Sequence, residues 1–231
     1  MGRAIGDEPT SPTPAQVAAG HAFYTRRSLA FYDVAILGFF SRVAWQCPAH
    51  RIVAHYDRHV SAKHLDVGVG TGYFLDRCTF PTQTPRVALL DPNSDCLDVA
   101  GRRLARFDPE IIEADVLQPI AYSGEPFDSI GLNYLLHCLP GDLLAKGRVF
   151  DHLRPVASPG ATVFGATLLH DGVPRNWFAR SVMARNNAHG IFTNASDSLT
   201  GVRTMLEAHL EHVTVEVIGC VGIFAGETRP G

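Results

Sequence analysis

The chain has 231 residues, of which 46% are hydrophobic and 19% are charged, and its 20 Lys and Arg against 23 Asp and Glu give a net charge of −3. These values predict one soluble globular domain. The basic residues occur singly or in pairs, whereas surfaces that bind phosphate backbones carry clusters of Lys and Arg, so we expect no nucleic acid partner. No apolar stretch approaches the roughly 20 residues that cross a bilayer, so we expect no membrane span.

The start of the chain and the cysteines indicate a reducing compartment. Residues 1–14 mix Pro, Thr, Gly and acidic residues and have no apolar signal sequence, so we predict a disordered tail and a cytoplasmic location. The five cysteines are odd in number and form no C-x-x-C pair, which argues against disulfides and a zinc site. His55 and His59 have helical spacing, but no third ligand follows at a metalloenzyme spacing, so we expect no metal.

The first part of the chain, residues 15–62, has the periodicity of helices. Apolar and aromatic side chains recur every three to five residues, and Pro48 divides the region so that a second helix is predicted over 49–60. We expect this region to form a helical lid that closes a substrate pocket, with Tyr24 and Tyr32 as candidate substrate contacts. The alternative for each aromatic side chain is packing of the helices on a sheet.

Strands and helices alternate over residues 63–231, which we predict to be a single domain. The predicted strands are 65–68, 86–91, 111–114, 127–133, 161–169, 213–218 and 221–225. The predicted helices are 72–79, 94–106, 142–154, a stretch that contains Trp177 and Met183, and 198–209. Only Gly219 and Cys220 separate the last two strands, so these should pair antiparallel or form one bulged strand. The pattern predicts an α/β fold with a doubly wound, seven-stranded sheet, mostly parallel with an antiparallel C-terminal edge strand, and ligands bind such sheets at the carboxyl ends of the strands.

A glycine turn follows the first predicted strand. Gly68, Gly70 and Gly72 allow a tight turn and a close approach of the backbone to a ligand, because a Cβ there would collide with it. The dinucleotide fingerprint G-x-G-x-x-G requires its third glycine at position 73, which is Tyr73, so a dinucleotide does not fit. A strand-to-helix turn without a ligand is the structural alternative.

Carboxylates stand at the ends of the first three predicted strands. Asp66 precedes the glycine turn, Asp91 ends the second strand where it can accept both hydroxyls of a ribose, and Asp115 follows the third where it can accept from an adenine amine. Asp91 could instead start a turn before Pro92 and cap the next helix, and Asp115 could be a solvated loop residue. Their occurrence in this order favours a nucleoside ligand.

Residues 60–226 resemble the class I S-adenosylmethionine-dependent methyltransferases through HLDVGVGTGYFLD, LLDPN, ADV and FDSIGLNYLLHCLP. The resemblance implies a Rossmann-like fold, S-adenosyl-L-methionine as the cofactor and a small-molecule methyl acceptor, and it leaves a homodimer open. It also implies that Asp66, Gly68, Gly70 and Gly72 hold the methionine part, that Asp91 with Pro92 binds the ribose, that Asp115 and the Val116 backbone bind the adenine, and that Asn133 lies beside the sulfonium. The Asn/Asp-Pro-Pro-aromatic run of nucleobase N-methyltransferases is absent after Asn133. The pattern is therefore closer to enzymes of quinone or secondary metabolism.

The resemblance implies a methyl transfer that requires alignment of the acceptor and, for a protonated acceptor, a base. His137 is our candidate catalytic base because an imidazole titrates near neutrality and its loop faces the sulfonium in this fold. The alternative is a histidine that is satisfied by a helix end or packed beside Leu136 and Leu139. His170 is a second candidate on the substrate side. The leading hypothesis is methylation of an oxygen, nitrogen or carbon of an aromatic or apolar small molecule. A cofactor-binding scaffold or partner-activating subunit without turnover, and a non-methylating enzyme that uses the same cofactor, are the alternatives.

Overall fold

A computed structural model describes residues 38–229, which form seven strands and six helices of five residues or more. The strands are β1 (Lys63–Val67), β2 (Arg86–Asp91), β3 (Glu110–Glu113), β4 (Phe127–Asn133), β5 (Ala157–Leu168), β6 (Leu210–Ile218) and β7 (Val221–Thr228). The helices are α1 (Ala49–His59), α2 (Tyr73–Arg77), α3 (Ser94–Arg103), α4 (Leu143–Leu153), α5 (Trp177–Ala188) and α6 (Leu199–His209), with a single helical turn at Ser41–Val43.

The sheet has the strand order β3-β2-β1-β4-β5-β7-β6. Strands β1 to β5 pair in parallel, and β7 pairs antiparallel with both β5 and β6. The predicted doubly wound, mostly parallel seven-stranded fold is therefore confirmed. The antiparallel strand β7 lies inside the sheet, between β5 and β6, and β6 is at the edge. The two-residue turn at Gly219 and Cys220 joins β6 and β7 as an antiparallel hairpin.

The last three strands are longer than their sequence patterns indicate: β6 begins already at Leu210, β7 continues to Thr228, and β5 begins earlier than predicted. We predict the fifth strand to begin after the Ser158-Pro159-Gly160 turn, whereas β5 begins at Ala157 and pairs there with Phe127. Gly160 has a φ of 74°, and the register between β4 and β5 shifts at this end. The turn residues thus form an irregularity within the strand instead of ending it.

Helices cover both faces of the sheet, so that the fold has three layers. Leu65 of β1 and Ile130 of β4 point to the face that also buries residues of α4 and α6. The opposite face carries α1, α2 and α3, whose buried side chains pack with Phe164 of β5. Because side chains alternate along a strand, His64 and Asp66 belong to the α1 face.

Helix α1, which the sequence assigns to the lid region, packs directly on the sheet. Its residues Ile52 and Tyr56 are at most 1% exposed, and the Tyr56 ring meets Phe164 edge-on at 5.1 Å. Burial of each such side chain contributes about 1.5–3 kcal/mol. The division of the chain into a tail, a lid and a domain stays a prediction. Within residues 38–229 no helix has the length and apolar character of a membrane span.

Candidate functional site

A cavity lies at the carboxyl ends of β1, β2 and β4 and beside the segment that follows β3. All nine residues that we predict as cofactor contacts line this cavity, namely Asp66, Gly68, Gly70, Gly72, Asp91, Pro92, Asp115, Val116 and Asn133. The strands are parallel, so their carboxyl ends meet at one edge of the sheet and bring together residues that are far apart in sequence.

The glycine turn is shaped by the left-handed backbone of its three glycines, at φ values of 70°, 52° and 69°. A Cβ on Gly68 would lie 2.8 Å from the Leu135 side chain, and one on Gly72 would lie 3.2 Å from Cβ of Ala100. These two glycines therefore permit close packing of the protein itself. A Cβ on Gly70 would meet no atom within 4 Å, and since Gly70 lines the cavity, it leaves space for a ligand.

Asp91, at the end of β2, is a buried carboxylate that lies in the cavity wall. Its Oδ1 accepts a hydrogen bond from the Asn93 amide at 2.9 Å. Burial raises the pKa of Asp91 to about 6, although the amides of Asn93, Gly70 and Val69 oppose this shift. The N-cap of α3 is Asn93, whose side chain accepts from the Asp95 amide. Asp91 is thus not the helix cap, and its desolvated carboxylate is suited to hydroxyl donors from a ligand.

Asp115 and Val116, which follow β3, border the cavity on the side of that strand. Asp115 Oδ1 accepts from the Leu117 amide at 2.9 Å, which makes the residue part of a turn. The Val116 carbonyl accepts from His152 Nδ1 at 2.9 Å, and the Val116 side chain is buried against the cavity. This part of the cavity therefore combines an apolar wall with a carboxylate, an arrangement that suits a nucleobase with an exocyclic amine.

Asn133 ends β4 and has an unsatisfied side chain. The residue is 8% exposed, and neither its Oδ1 nor its Nδ2 completes a well-formed hydrogen bond within the described part of the chain, although its side chain lies close enough to the Tyr56 hydroxyl to lower the pKa of that tyrosine. A buried amide without partners costs about 1–3 kcal/mol. Because Asn133 lines the cavity, a ligand with a donor and an acceptor would remove this cost.

A sequence profile described as a methyltransferase domain matches residues 42–202 of the chain, which include every element that borders the cavity. The chain belongs to this methyltransferase family. It is an S-adenosylmethionine-dependent enzyme of small-molecule methylation. The residues around the cavity fit that cofactor, because open space at Gly70, a desolvated acceptor at Asp91 and an unpaired amide at Asn133 occur in one cleft.

Named relatives match the methyltransferase over nearly its whole length. Demethylluteothin O-methyltransferase of Streptomyces thioluteus is 38% identical over 213 residues, which are 92% of this chain and 93% of that protein. The physcion biosynthesis cluster O-methyltransferase of Aspergillus chevalieri is 37% identical over 89% of this chain and 93% of its own. Among solved structures, the N-methyltransferase NodS from Bradyrhizobium japonicum WM9 in complex with S-adenosyl-l-homocysteine superimposes with a TM-score of 0.57 at 16% identity, covering 89% of this chain and 98% of that chain. This last similarity shows the fold alone.

The position of His137 in the methyltransferase does not support our prediction of a catalytic base. His137 is 3% exposed and is not among the described residues that line the cavity. Burial lowers its pKa to about 3, with a further contribution from Lys146, so the imidazole binds a proton only in strong acid. Its Nδ1 accepts from the Leu168 amide at 3.4 Å, and its ring packs edge-on to Phe192 at 4.8 Å. The packing alternative accounts for these contacts.

Only one of the three predicted substrate contacts lies in the part of the chain that the structure describes. Tyr24 and Tyr32 lie outside the described residues. His170 follows β5, where its backbone amide donates to the Asp197 carbonyl at 2.8 Å and its Nδ1 lies 3.5 Å from Asp171 Oδ1. It is not one of the residues in the described lining. The role of these residues in acceptor binding stays a prediction.

Two residues beside Asp66 of β1, one on α1 and one on β4, were not predicted from the sequence. Tyr56 of α1 lines the cavity and donates a hydrogen bond to Asp66 Oδ1 at 2.7 Å. Gly131 of β4 faces Asp66 across the strand pair, and a Cβ on it would lie 2.8 Å from that same oxygen. The lone glycine within the β4 pattern was the available signal, because such a glycine indicates a close approach of another group. Within residues 38–229, no group of three His, Cys, Asp or Glu side chains is arranged to hold a metal.

Proposed function

We propose that the cavity holds S-adenosylmethionine with its adenosine toward β2 and β3 and its methionine toward β1. Asp91 then accepts from the ribose hydroxyls, and Asp115 with the Val116 backbone borders the adenine. The glycine turn and Asp66 receive the methionine part, and Asn133 lies beside the sulfonium. Support comes from the raised pKa of Asp91, which a ligand with hydroxyl donors would relieve, and from the open space at Gly70.

We further propose that the acceptor atom is a hydroxyl oxygen on a flat, largely apolar molecule. The flat, apolar acceptor is supported by an aromatic wall beside Asn133, formed by Tyr56, Phe74 and Tyr134. The Phe74 ring lies 6.0 Å from the Tyr134 ring and 6.2 Å from the Tyr56 ring. Aromatic walls favour flat apolar ligands through offset and edge-on ring contacts. The choice of oxygen is supported by the two relatives at 37–38% identity, both of which are named as O-methyltransferases.

The bound cofactor supplies an activated methyl group, so the protein has to align the acceptor oxygen and exclude water. Asn133 Oδ1 can accept the hydrogen of the acceptor hydroxyl and so orient its lone pair toward the methyl group. The aromatic wall, to which Phe74 and Tyr134 contribute, holds the plane of the acceptor. A phenolic or enolic hydroxyl can release its proton to water as its oxygen takes the methyl group, so the described wall does not have to supply a charged base.

The test compares matched acceptors that differ only in one substituent of the same ring. The enzyme is incubated with S-adenosylmethionine and 2-naphthol, 2-naphthylamine or 2-methoxynaphthalene, and the products are identified by mass spectrometry and NMR. We expect the methyl ether of 2-naphthol and no product from the amine or the ether. Methylation of nitrogen or of a ring carbon in preference to oxygen would contradict the proposal.

Two further properties, the cellular location and the oligomeric state, are part of this proposal. We infer a cytoplasmic enzyme because its buried cysteines, such as Cys47 and Cys220, are free thiols. A homodimer is compatible with this function, and light scattering of the purified enzyme at several concentrations will measure its mass in solution.

A further inference from the structure

A row of buried polar side chains lies beneath the cavity on the α1 face of the sheet. The Tyr56 hydroxyl donates to Asp66 Oδ1 at 2.7 Å, and His64 Nε2 lies 3.8 Å from the same oxygen. On its other side, His64 Nδ1 lies 2.8 Å from Ser129 Oγ. All four side chains are buried. Burying polar side chains costs free energy unless they form hydrogen bonds with one another. The row also contains Asp66, a carboxylate that lines the cavity, so we ask what it does there.

The pairing of β1 with β4 brings the strand members of this row together. The parallel register of β1 and β4 places His64 opposite Ser129 and Asp66 opposite Gly131. A Cβ on Gly131 would lie 2.8 Å from Asp66 Oδ1 and 3.3 Å from His64 Cε1. The glycine therefore provides the room in which the carboxylate and the imidazole approach each other.

The two carboxylate oxygens of Asp66 have different surroundings. The tyrosine and the histidine both lie at Oδ1, and Asp66 is part of the cavity wall, so Oδ2 is the oxygen that can receive a ligand. Burial and the neighbouring Asp66 raise the pKa of Tyr56 well above its ordinary value. Its hydroxyl consequently stays protonated, and it acts as a donor and not as a base.

We propose that Tyr56 is a positioning residue for the cofactor: its hydroxyl fixes the rotamer of Asp66 so that the free carboxylate oxygen meets the ammonium group of the methionine part. His64, held by Ser129, lies on the sheet side of the same oxygen, but its Nε2 is 3.8 Å away and makes no hydrogen bond to it, so Tyr56 is the donor that fixes the carboxylate. This inference rests on the proposed placement of the methionine part at Asp66. It makes α1 a contributor to cofactor recognition, since Tyr56 belongs to that helix.

The test uses two ligands that differ in the amino-acid part. S-adenosylhomocysteine carries the ammonium group, whereas 5′-methylthioadenosine keeps the adenosine and lacks the amino-acid part. For Tyr56→Phe, calorimetry should show about tenfold weaker binding of S-adenosylhomocysteine and a change of less than about twofold for 5′-methylthioadenosine. Tyr122→Phe is the matched control, because its hydroxyl donates to Glu110 Oε2 at 3.1 Å and Tyr122 does not line the described cavity. It should change neither affinity.

Asp66→Asn and the double variant separate the possible failures. In the Asp66→Asn background, Tyr56→Phe should add little further loss, because both changes remove one interaction. Equal losses for the two ligands, or unchanged or tighter binding of S-adenosylhomocysteine by Tyr56→Phe, would overturn the role of Tyr56. Unchanged binding by Asp66→Asn would instead refute the proposed cofactor placement. Thermal unfolding of each variant verifies that it is folded, and none of these results depends on the acceptor.

Discussion

The raised pKa of Asp91 predicts that cofactor affinity depends on pH. A pKa of about 6 in the free protein, against an ordinary value of 3.8, means that the carboxylate takes up a proton as the pH falls through 6. Ribose hydroxyls donate only to the ionised form in the arrangement that we propose, so they should lower this pKa on binding. Cofactor affinity is then full above about pH 7 and is lost as the pH decreases.

The size of the effect follows from the two pKa values. If binding returns the pKa of Asp91 to 3.8, the dissociation constant of S-adenosylhomocysteine rises about tenfold between about pH 7.5 and about pH 5, which is about 1.4 kcal/mol. The limiting loss at still lower pH is about 160-fold, because binding would lower the pKa from about 6 to 3.8. Asp91→Asn should bind about 30-fold more weakly at neutral pH and show no such pH dependence.

Isothermal titration calorimetry with S-adenosylhomocysteine at several pH values measures both effects, and circular dichroism verifies that the protein is folded at each pH. Asp98→Asn serves as the control, since Asp98 is an exposed carboxylate on the following helix α3. An affinity of the natural protein that is constant from about pH 5 to about pH 7.5 would refute the reasoning. So would an Asp91→Asn variant that keeps the full pH dependence.

Three further predictions concern the turn, the core and acid stability. Gly70→Val should abolish calorimetric binding of S-adenosylhomocysteine while the protein stays folded, because its side chain enters the open space of the cavity and the φ of 52° at this position strains the turn for a β-branched residue. Retained affinity would contradict the placement of the turn. Lys146→Met should lower the free energy of unfolding by about 3–5 kcal/mol in urea titrations, because it leaves Asp197 as an unpaired buried charge. Asp197 Oδ2 lies 2.6 Å from Lys146 Nζ. The double variant Lys146→Met, Asp197→Leu should recover part of the loss. Burial lowers the pKa of His55 to about 4 from 6.5, so stability should fall by up to about 3 kcal/mol as the pH decreases from 6.5 to 4, and His55→Gln should reduce this slope.

The sequence predicts most of the fold because its signals are local. The alternation of short apolar strands with amphipathic helices is readable in a single chain, and each glycine of the turn occupies a left-handed position that glycine favours. The cofactor contacts could be predicted for a related reason. Parallel strands place their carboxyl ends at one edge, so Asp66, Asp91 and Asn133 are expected neighbours once the strands are recognised.

What could not be predicted depends on side-chain directions between elements far apart in sequence. Helix α1 has the periodicity of any amphipathic helix, and nothing in that pattern shows that Tyr56 would reach Asp66 on β1 while Ile52 packs in the core. The edge position of β6 likewise depends on which side of β7 the hairpin folds, and a turn of two residues permits either side. Only the packing of the whole sheet decides these choices.

His137 illustrates the same point and yields a last prediction. Its sequence position, four residues after Asn133, suggests a base, but the short helical turn Leu136–Cys138 directs the ring into the core beside Phe192. With a pKa lowered to about 3, the imidazole is neutral throughout the usual assay range and gives no inflection near neutrality. His137→Leu should therefore leave the shape of the pH profile of kcat unchanged and lower the free energy of unfolding by about 1–2 kcal/mol, because the Leu168 amide loses its acceptor. The profile is measured with the best acceptor found, and urea unfolding gives the stability. A loss of turnover that disappears as the pH rises would restore His137 as the base, since only an acceptor that ionises by itself makes a base dispensable at high pH.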